Sequence, residues 1–324
     1  MMDSAPDKFA IGIGDVRAAA TRIAEHVLQT PTVFSERLSA KLGCRLHFKA
    51  ENLQHIGAFK ARGAANAVFS LDDAVAAKGV VTHSSGNHAA ALSRAASLRG
   101  IPAHVVMPRN SAGNKIETVR RFGVEPVFSE PDAQSRADTC ARIEAETGAT
   151  LVHPYDNPYV MAGQGTVGLE ILQQVEDADV VVVPVGGGGL LSGVLTSIKT
   201  IRPEIQIIAA EPEWADDAAR SLKSGRIELP TRYDTVADGL RTPLGELTFP
   251  IIRRLLDDII LVSETEIRSA TQILMEQVHL VAEPSGAVAL AAVLAVSERF
   301  SGKSVVAIVS GGNLDFDTWA SAAH

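Results

Sequence analysis

Short apolar runs alternate with helical patterns along almost the whole of this 324-residue chain. The most uniform run, Val180–Val185, contains no polar residue. A strand that is apolar at every position must be covered on both faces, which is typical of parallel sheets packed between helices. The pattern therefore predicts an α/β fold with two open, twisted, mostly parallel sheets that carry helices on both faces.

The predicted strands and helices follow one another in alternation. The strand candidates are Leu46–Ala50, Val80–Thr82, Ala103–Met107, Val124–Phe128, Thr150–Val152, Val180–Val185, Gln206–Ala210, Ile259–Val262 and Ser304–Val309. The helix candidates are Asp15–Leu28, Ala61–Phe69, His88–Leu98, Asn114–Phe122, Asp132–Glu146, Tyr159–Val175 and Glu264–Val278.

The overall charge excludes some classes of partner. The chain has 38 acidic and 30 basic residues, a net charge of −8, and no cluster of lysines and arginines, so we expect no nucleic-acid partner.

Its two cysteines, Cys44 and Cys140, lack a metal-ligand spacing and are expected to be buried thiols. We see no signal peptide, and no apolar run is long enough to span a bilayer. We therefore expect a soluble, cytoplasmic protein with no membrane partner.

Four consecutive glycines, Gly186 to Gly189, follow the strand Val180–Val185 and precede a helix. Glycines permit a tight turn whose backbone N–H groups point inward beside the positive end of the next helix, and such a turn binds phosphate. The dinucleotide pattern GxGxxG fails because positions 191 and 192 are Leu and Ser, and no Walker lysine follows. A lone phosphate monoester fits best, and a flexible strand–helix turn is the alternative.

Lys60 lies beside Phe59 and between two glycines, at the start of the predicted helix Ala61–Phe69. Apolar surroundings and a helix N-terminus disfavour the ammonium form, so Lys60 is a candidate amine nucleophile. A solvated surface lysine is the alternative.

A second polar segment, His83 to His88, follows the strand Val80–Thr82 and precedes a helix. The hydroxyls of Ser84 and Ser85, the Asn87 amide and the free N–H groups of a helix start suit a carboxylate or a phosphate. The alternative is that Ser84, Ser85 or Asn87 caps the helix. His88 is expected to be a structural residue and not a base.

Eight motifs occur together in this chain: GAFKARGA at 57–64, SSGNH at 84–88, AGQGT at 162–166, GGGG at 186–189, EPEWADD at 211–217, ADGL at 237–240, EPSGA at 283–287 and SGGN at 310–313. With them the chain resembles the serine racemase and serine/threonine dehydratase family of fold-type II pyridoxal-phosphate enzymes, close to the 3-hydroxyaspartate dehydratases. The resemblance implies a fold like that of the tryptophan synthase β chain and a homodimer. We expect a large cofactor-binding domain of residues 1–70 and 154–324 and a small domain of residues 71–153.

The resemblance implies a role for each residue of the site. Lys60 would hold pyridoxal 5′-phosphate as a Schiff base and act as the base on one face of the cofactor. Phe59 would pack against the pyridine ring, Asn87 would hydrogen-bond the ring hydroxyl, and Ser310 would meet the pyridine nitrogen. The backbone that would hold the phosphate comprises Gly186, Gly187, Gly188, Gly189 and Leu190.

Ser310 bears on the type of reaction. A hydroxyl cannot keep the pyridine nitrogen protonated as a carboxylate would, so the ring is a weaker electron sink and β-elimination is favoured over transamination. The expected reaction is α-proton removal by Lys60 and loss of a β-hydroxyl group, which yields a 2-oxo acid (or iminosuccinate and then oxaloacetate) and ammonia. Ser84, Ser85 and Asn87 would bind the substrate carboxylate.

Ser85 is the residue that leaves a second activity open. Threonine-specific relatives resemble SAGNH, whereas racemases and hydroxyaspartate dehydratases resemble SSGNH, in which this serine acts as an acid or base on the opposite face. A serine or aspartate racemase that uses Lys60 and Ser85 as its two bases is therefore an alternative function. The other interpretation is that Ser85 only binds the substrate carboxylate and does not act as an acid or base.

A metal site also follows from the resemblance. Glu211, the Ala215 carbonyl and Asp217 match the ligands of Mg²⁺, Ca²⁺ or Mn²⁺ in racemase-like members, and oxygen ligands suit a hard cation. A solvated acidic loop is the alternative.

The identity of the substrate is the least determined expectation. Ala58 replaces a serine common in relatives, and together with SSGNH it favours 3-hydroxyaspartate over L-serine or L-threonine. The run after His88 lacks the glutamine of many racemases, which argues against nucleotide activation. Candidates for binding a second substrate carboxylate are Thr242, Arg241, His55 and His153. A non-catalytic protein that binds a phosphate ligand is a further alternative, although such a protein needs no Schiff-base lysine.

Overall fold

A computed structural model describes residues 9–84, 86–111 and 113–315. Their strands are β1 (Thr32–Phe34), β2 (Arg45–Ala50), β3 (Val80–His83), β4 (Ala103–Pro108), β5 (Val127–Ser129), β6 (Thr150–Leu151), β7 (Val180–Pro184), β8 (Gln206–Pro212), β9 (Asp258–Val262) and β10 (Ser304–Val309). They form a six-stranded sheet in the order β1-β2-β10-β7-β8-β9 and a four-stranded sheet in the order β5-β4-β3-β6. All pairs are parallel except β1 with β2. The predicted fold class is confirmed.

The helices lie on both faces of these sheets. They are α1 (Ile13–Ile23), α2 (Glu36–Leu42), α3 (Lys60–Phe69), α4 (Asp73–Ala76), α5 (Asn87–Arg99), α6 (Gly113–Arg120), α7 (Ala133–Thr147), α8 (Pro158–Gln174), α9 (Gly189–Ile201), α10 (Asp217–Ser224), α11 (Thr248–Leu255), α12 (Glu264–Ile273) and α13 (Pro284–Ala295). Short 3-10 turns occur between several of them.

Strand β7 shows why an unbroken apolar run is needed in the larger sheet. Val180 and Val182 belong to the core that includes α13, whereas Val181 and Val183 belong to the core that includes α8 and α9. Both faces of the strand are therefore covered, and every one of its residues is buried.

The smaller sheet takes its strands from residues 80–151, and the larger sheet takes its strands from residues 32–50 and 180–309. This division agrees with the predicted assignment of residues 71–153 to a small domain, although the domain boundaries themselves stay a prediction. In the described part of the chain, no helix combines the length and the apolar character that crossing a membrane requires.

Several observed elements differ from the prediction or were not predicted. Strand β1 was not predicted, because it has three residues and pairs with β2 alone, so its sequence lacks the long apolar run of a central strand. Helix α1 ends at Ile23, five residues before the predicted end at Leu28. The predicted helix Glu264–Val278 is α-helical only to Ile273 and continues as one π-helical turn that ends at His279 with a positive φ of 63°.

Candidate functional site

The glycine loop connects the end of β7 to the start of α9, and α9 begins at Gly189. Gly188 has a φ of 86°, a left-handed conformation that favours glycine. Among the described residues, no acceptor binds the backbone N–H groups of residues 186–190. Five free donors at a positive helix end have the geometry of an anion cradle, and their binding of a phosphate stays a prediction.

The packing around the cradle explains why it consists of glycine. A Cβ atom on Gly187 would lie 2.5 Å from Cδ2 of the Tyr155 ring, and one on Gly188 would lie 2.9 Å from Thr248 Oγ1. Thr248 Oγ1 in turn donates a hydrogen bond of 2.9 Å to the Gly187 carbonyl. The loop is held by its neighbours, so the alternative of a loosely packed turn does not describe it.

Lys60 is the first residue of α3 and is partly buried. Its Nζ donates a hydrogen bond of 2.7 Å to the Pro154 carbonyl and lies 5.1 Å from the centre of the Phe59 ring. Burial lowers the pKa of Lys60 from its usual 10.5 to about 8. The amine is therefore a usable nucleophile and base near neutral pH, unlike that of a solvated surface lysine.

Ser310 follows β10 and is buried beside the start of α3. The Phe59 N–H donates to the Ser310 carbonyl at 3.1 Å, and Ala58 forms an isolated bridge with Gly311. The Ser310 hydroxyl makes only a long contact of 3.5 Å with the Ser285 carbonyl. It is therefore available for a stronger hydrogen bond.

Asn87 begins α5, but its side chain does not cap the helix. Its Nδ2 donates to Glu283 Oε1 at 2.7 Å, and its Oδ1 accepts a hydrogen bond of 2.8 Å from Asn313. The N-cap residue is Gly86, which lacks a capping side-chain bond. The Ser84 hydroxyl accepts a hydrogen bond of 3.3 Å from the Gly86 N–H, and Ser85 lies outside the described residues.

Burial keeps a group of rings near Lys60 uncharged. The rings of His83 and His153 are 5.3 Å apart, and the ring of His153 is 4.6 Å from that of Tyr155. Burial lowers the pKa of His153 to about 4 and raises the pKa of Tyr155 to about 12. Thr242 partly offsets this rise in the pKa of Tyr155, which places the predicted substrate residue Thr242 near the ring that packs on Gly187.

Arg136 on α7 is a candidate site residue that was not identified from the sequence. Burial and, after it, the charge of Arg136 lower the pKa of His83, which places the guanidinium near the His83 ring. Its Nε is buried without a hydrogen-bond partner, and within the described residues no carboxylate pairs with it. The sequence contains no signal for this, since the missing partner is a property of the folded structure.

The other candidates for a second substrate carboxylate differ in their surroundings. The Arg241 guanidinium donates to the Thr235 carbonyl from Nε at 3.1 Å and also from Nη2, which occupies two of its donors within its own loop. The Nδ1 atom of His153 accepts a hydrogen bond of 3.0 Å from the Asp156 N–H. Burial lowers the pKa of His55. The buried ring of His88 hydrogen-bonds the carbonyl of residue 152 at 3.1 Å and is structural, as predicted.

The predicted metal ligands lie together in one turn after β8. Glu211 accepts hydrogen bonds of 2.7 and 2.9 Å from the N–H groups of Ala218 and Ala219. Both carboxylate oxygens of Asp217 are buried without a partner, and burial raises the pKa of Asp217 to about 7. Ala215 is likewise buried, so this is not a solvated acidic loop. Within the described ranges no group of three or more His, Cys, Asp or Glu side chains clusters around one point, so a cation here needs carbonyl or water ligands as well.

Comparison with known proteins links this geometry to a family. The family model described as pyridoxal-phosphate dependent enzyme matches residues 23–311. The β-hydroxyaspartate dehydratase of Paracoccus denitrificans (strain Pd 1222) is 50% identical over 303 residues, which cover 94% of this chain and 96% of that protein. The structure of maize serine racemase is 46% identical, with a TM-score of 0.94 and 97% of both chains covered. The processed form of threonine deaminase isoform 2 from Solanum lycopersicum is 34% identical, with a TM-score of 0.92 and coverage of 96% of this chain and 86% of that chain.

The lowered pKa of Lys60 predicts a pH-dependent stability difference. Below pH 8 the folded, ligand-free protein holds a buried ammonium group, and this cost disappears as pH rises from about 8 to 10.5, where only the unfolded chain still binds the proton. We expect Lys60→Met to be more stable than the wild type at pH 7 and to lose that advantage by pH 10.5. Urea unfolding across this range measures the difference, with Lys41→Met at an exposed position as the control. A constant difference would contradict the prediction.

Proposed function

The chain belongs to the family of pyridoxal-phosphate-dependent enzymes, and on that premise we propose that it is a dehydratase acting on 3-hydroxyaspartate. The substrate is a small amino acid, and the products are oxaloacetate and ammonia. The observation that carries the choice of substrate is the Arg136 guanidinium near the His83 ring, whose Nε is buried without a hydrogen-bond partner. The homodimer and the cytoplasmic location stay predictions.

The residues present fit the cofactor. The free N–H groups of residues 186–190 suit its phosphate, and the Lys60 amine suits its aldehyde. The weakly bonded hydroxyl of Ser310 suits its ring nitrogen, and Phe59 offers an apolar ring beside the amine. Asn87 Nδ2 donates one N–H to Glu283 and keeps its second N–H for the ring hydroxyl. When bound, pyridoxal phosphate withdraws electrons from the α-carbon of an amino acid and makes the α-proton acidic.

The side chains of this protein supply the rest of the reaction. With a pKa of about 8, the Lys60 amine is neutral in a useful fraction of molecules at physiological pH and accepts the α-proton. Ser84, Ser85 and Asn87 hold the α-carboxylate. The C–O bond to the β-hydroxyl breaks, and that group leaves as water after it takes up a proton. The released enamine tautomerises and reacts with water to give the 2-oxo acid and ammonia.

Arg136 supports a substrate with a second carboxylate. A guanidinium is always charged, and placing one in partly buried surroundings without an anionic partner is costly in a protein. A carboxylate from the ligand would complete its hydrogen bonds and form a strong, bidentate pair. Neither serine nor threonine has a second carboxylate, whereas 3-hydroxyaspartate has one on the carbon that bears its hydroxyl.

We propose that Glu211, Ala215 and Asp217 bind Mg²⁺ or a similar cation. The two unpartnered oxygens of Asp217 are the supporting observation, because a buried carboxylate without donors is expected to neutralise itself or to bind a cation. Oxygen ligands of this kind favour a hard divalent ion.

A racemase is the second candidate function. It is supported by the similarity to maize serine racemase and by the serine at position 85. Racemisation needs a second base on the opposite face from Lys60, and Ser85 has the chemistry for that role.

A substrate panel tests the proposed reaction. We expect one isomer of 3-hydroxyaspartate to give oxaloacetate and ammonia, with a kcat/KM at least about tenfold above that for L-threonine. Lys60→Ala should lower the rate by about 10³-fold or more, because it removes the base. Coupled assays of 2-oxo acid and ammonia, with chiral chromatography of the remaining substrate, make the measurement. Rapid interconversion of enantiomers with little oxo acid, abolished by Ser85→Ala, would favour the racemase instead.

Arg136→Met tests the substrate assignment. Loss of a charge-assisted pair of about 2–3 kcal/mol should lower kcat/KM for 3-hydroxyaspartate by about 30- to 150-fold and leave that for L-serine within about threefold. The matched control is Arg142→Met on the same helix, where the guanidinium is exposed and paired with Glu146. If the two substrates lose activity equally, Arg136 binds the α-carboxylate or supports the fold, and the assignment is wrong.

Asp217→Asn tests the cation site. Wild-type protein should gain about 2.7 kcal/mol of unfolding free energy when Mg²⁺ exceeds its dissociation constant about 100-fold, and Asp217→Asn should gain almost none. Without metal, Asp217→Asn should be the more stable of the two at pH 8, since it removes a buried, unpartnered charge. Asp216→Asn, at a carboxylate paired with Arg220, is the control and should keep the response to Mg²⁺. Equal responses in all three proteins would exclude the site.

A further inference from the structure

Helix α8 lies between the two helices that begin at the site. Helix α3 starts at Lys60 and α9 starts at Gly189, in the glycine cradle. Both pack on α8, which is buried without interruption from Val160 to Gly168. The segment AGQGT at 162–166 lies at these contacts, and nothing in the proposed chemistry uses it directly.

Helices α3 and α8 touch through their backbones. A Cβ atom on Gly63 would lie 2.7 Å from the Val160 carbonyl oxygen, and one on Gly163 would lie 2.7 Å from the Arg62 carbonyl oxygen. These distances are about 0.7 Å short of the 3.4 Å at which ordinary contact begins. The Gly63 position is three residues after Lys60, within the first turn of the helix, so a shift of α3 at this contact would carry Lys60 with it.

Helices α9 and α8 touch in the same way on the other side. A Cβ atom on Gly165 would lie 2.9 Å from the Gly193 carbonyl oxygen, and one on Gly193 would lie 2.5 Å from the Gly165 nitrogen. Gly193 is four residues after Gly189, so this contact is also one turn from the functional end of its helix. The two contacts on α8 are only two residues apart.

Polar contacts fix the α3 side of this arrangement. Oε1 of the fully buried Gln164 accepts a hydrogen bond of 3.2 Å from the Gly63 N–H, one of the first N–H groups of the helix. The Arg62 guanidinium forms hydrogen bonds of 2.6 and 2.8 Å with both carboxylate oxygens of Glu170, which is also on α8. Helix α3 is thereby tied to α8 by packing, by a hydrogen bond and by an ion pair.

We propose that α8 is a spacer that sets the distance between the Lys60 amine and the phosphate cradle. Gly163 and Gln164 are positioning residues for Lys60, and Gly165 is a positioning residue for the cradle. The inference rests on the proposed cofactor role of Lys60. A ligand held at both ends gains affinity from the second anchor only when the anchors match its length, so a displacement of about 1 Å removes much of that gain.

Three probes distinguish an effect on the distance between Lys60 and the cradle from an effect on either of these two anchors. Pyridoxal phosphate has both the aldehyde and the phosphate, pyridoxal has only the aldehyde, and pyridoxine phosphate has only the phosphate. In Gly163→Ala and in Gly165→Ala we expect the affinity for pyridoxal phosphate to fall about tenfold to 100-fold. The affinities for the two single-anchor probes should stay within about twofold. Dissociation constants come from absorbance and tryptophan fluorescence titrations.

Gly79→Ala is the control for a strained glycine substitution away from α8, and it differs from the α8 glycines in its positive φ of 88°. A Cβ atom there would lie 2.6 Å from the Pro102 carbonyl oxygen, a similar clash immediately before β3 and away from α8. It should change the three affinities by the same factor. If Gly163→Ala does not fold, Gln164→Met is the second variant, since it removes only the hydrogen bond to the Gly63 N–H. It should lower the affinity for pyridoxal phosphate by about threefold and leave the affinities for the other two probes unchanged. If a folded variant has the same ratios of the three dissociation constants as the wild type, the proposed spacer role of α8 is wrong.

A labelling experiment distinguishes failure of the spacer from failure of the proposed function. Borohydride reduction of the wild type with pyridoxal phosphate, followed by peptide mass analysis, should locate the label on Lys60. If Lys60 carries no label, the proposed cofactor role is wrong. If Lys60 is labelled and the variants still prefer pyridoxal phosphate as the wild type does, only the spacer is wrong.

Discussion

The buried ion pairs of Arg62 are the interaction on which the site most depends. The guanidinium is completely buried and donates to both oxygens of Glu51 and both oxygens of Glu170. Lys49 adds a second cation at 2.6 Å from Glu170, so two positive and two negative charges balance in the interior. Removing one partner from such a group costs about 3–5 kcal/mol, because the remaining charges are left buried without compensation. Since Arg62 follows Lys60 by two residues, the ion pairs that stabilise the fold also hold the reactive amine in place.

Burial acts on the titratable groups around Lys60 in one consistent direction. It lowers the pKa of Lys60 to about 8 and that of His153 to about 4, and it raises the pKa of Tyr155 to about 12. Each shift favours the neutral form, since charge is poorly solvated there. The Arg136 guanidinium, which cannot lose its proton, is thereby a cation in largely neutral surroundings. Under the proposed function, an anionic group of the substrate is attracted to Arg136 without competition from nearby histidinium ions, and this attraction is stronger than it would be in water.

Features that depend on local backbone geometry could be predicted from the sequence, and features that depend on tertiary partners could not. The glycine cradle needs four small residues in a row at a strand end, and that demand is visible in the sequence itself. The doubly covered strand β7 is visible for the same reason. Arg136 was missed because an arginine in a helix is ordinary until the structure shows that no carboxylate of the described residues pairs with it. The capping role considered for Asn87 was wrong, because Glu283, almost 200 residues away in sequence, binds its amide instead.

Under the proposed function, the site draws its chemistry and its specificity from different sheets. Lys60, the glycine cradle and Ser310 all adjoin strands of the six-stranded sheet, whereas Arg136 lies on α7, which packs on β3 and β4 of the four-stranded sheet. Because the two sets of residues share no secondary-structure element, a change in substrate contacts near Arg136 need not disturb the amine or the phosphate contacts. This separation of the two sets of residues permits one scaffold to serve both dehydratases and racemases. Lys60 is fixed by the packing of α3 against α8, and under the proposed function substrate choice depends on residues of the four-stranded sheet and its helices.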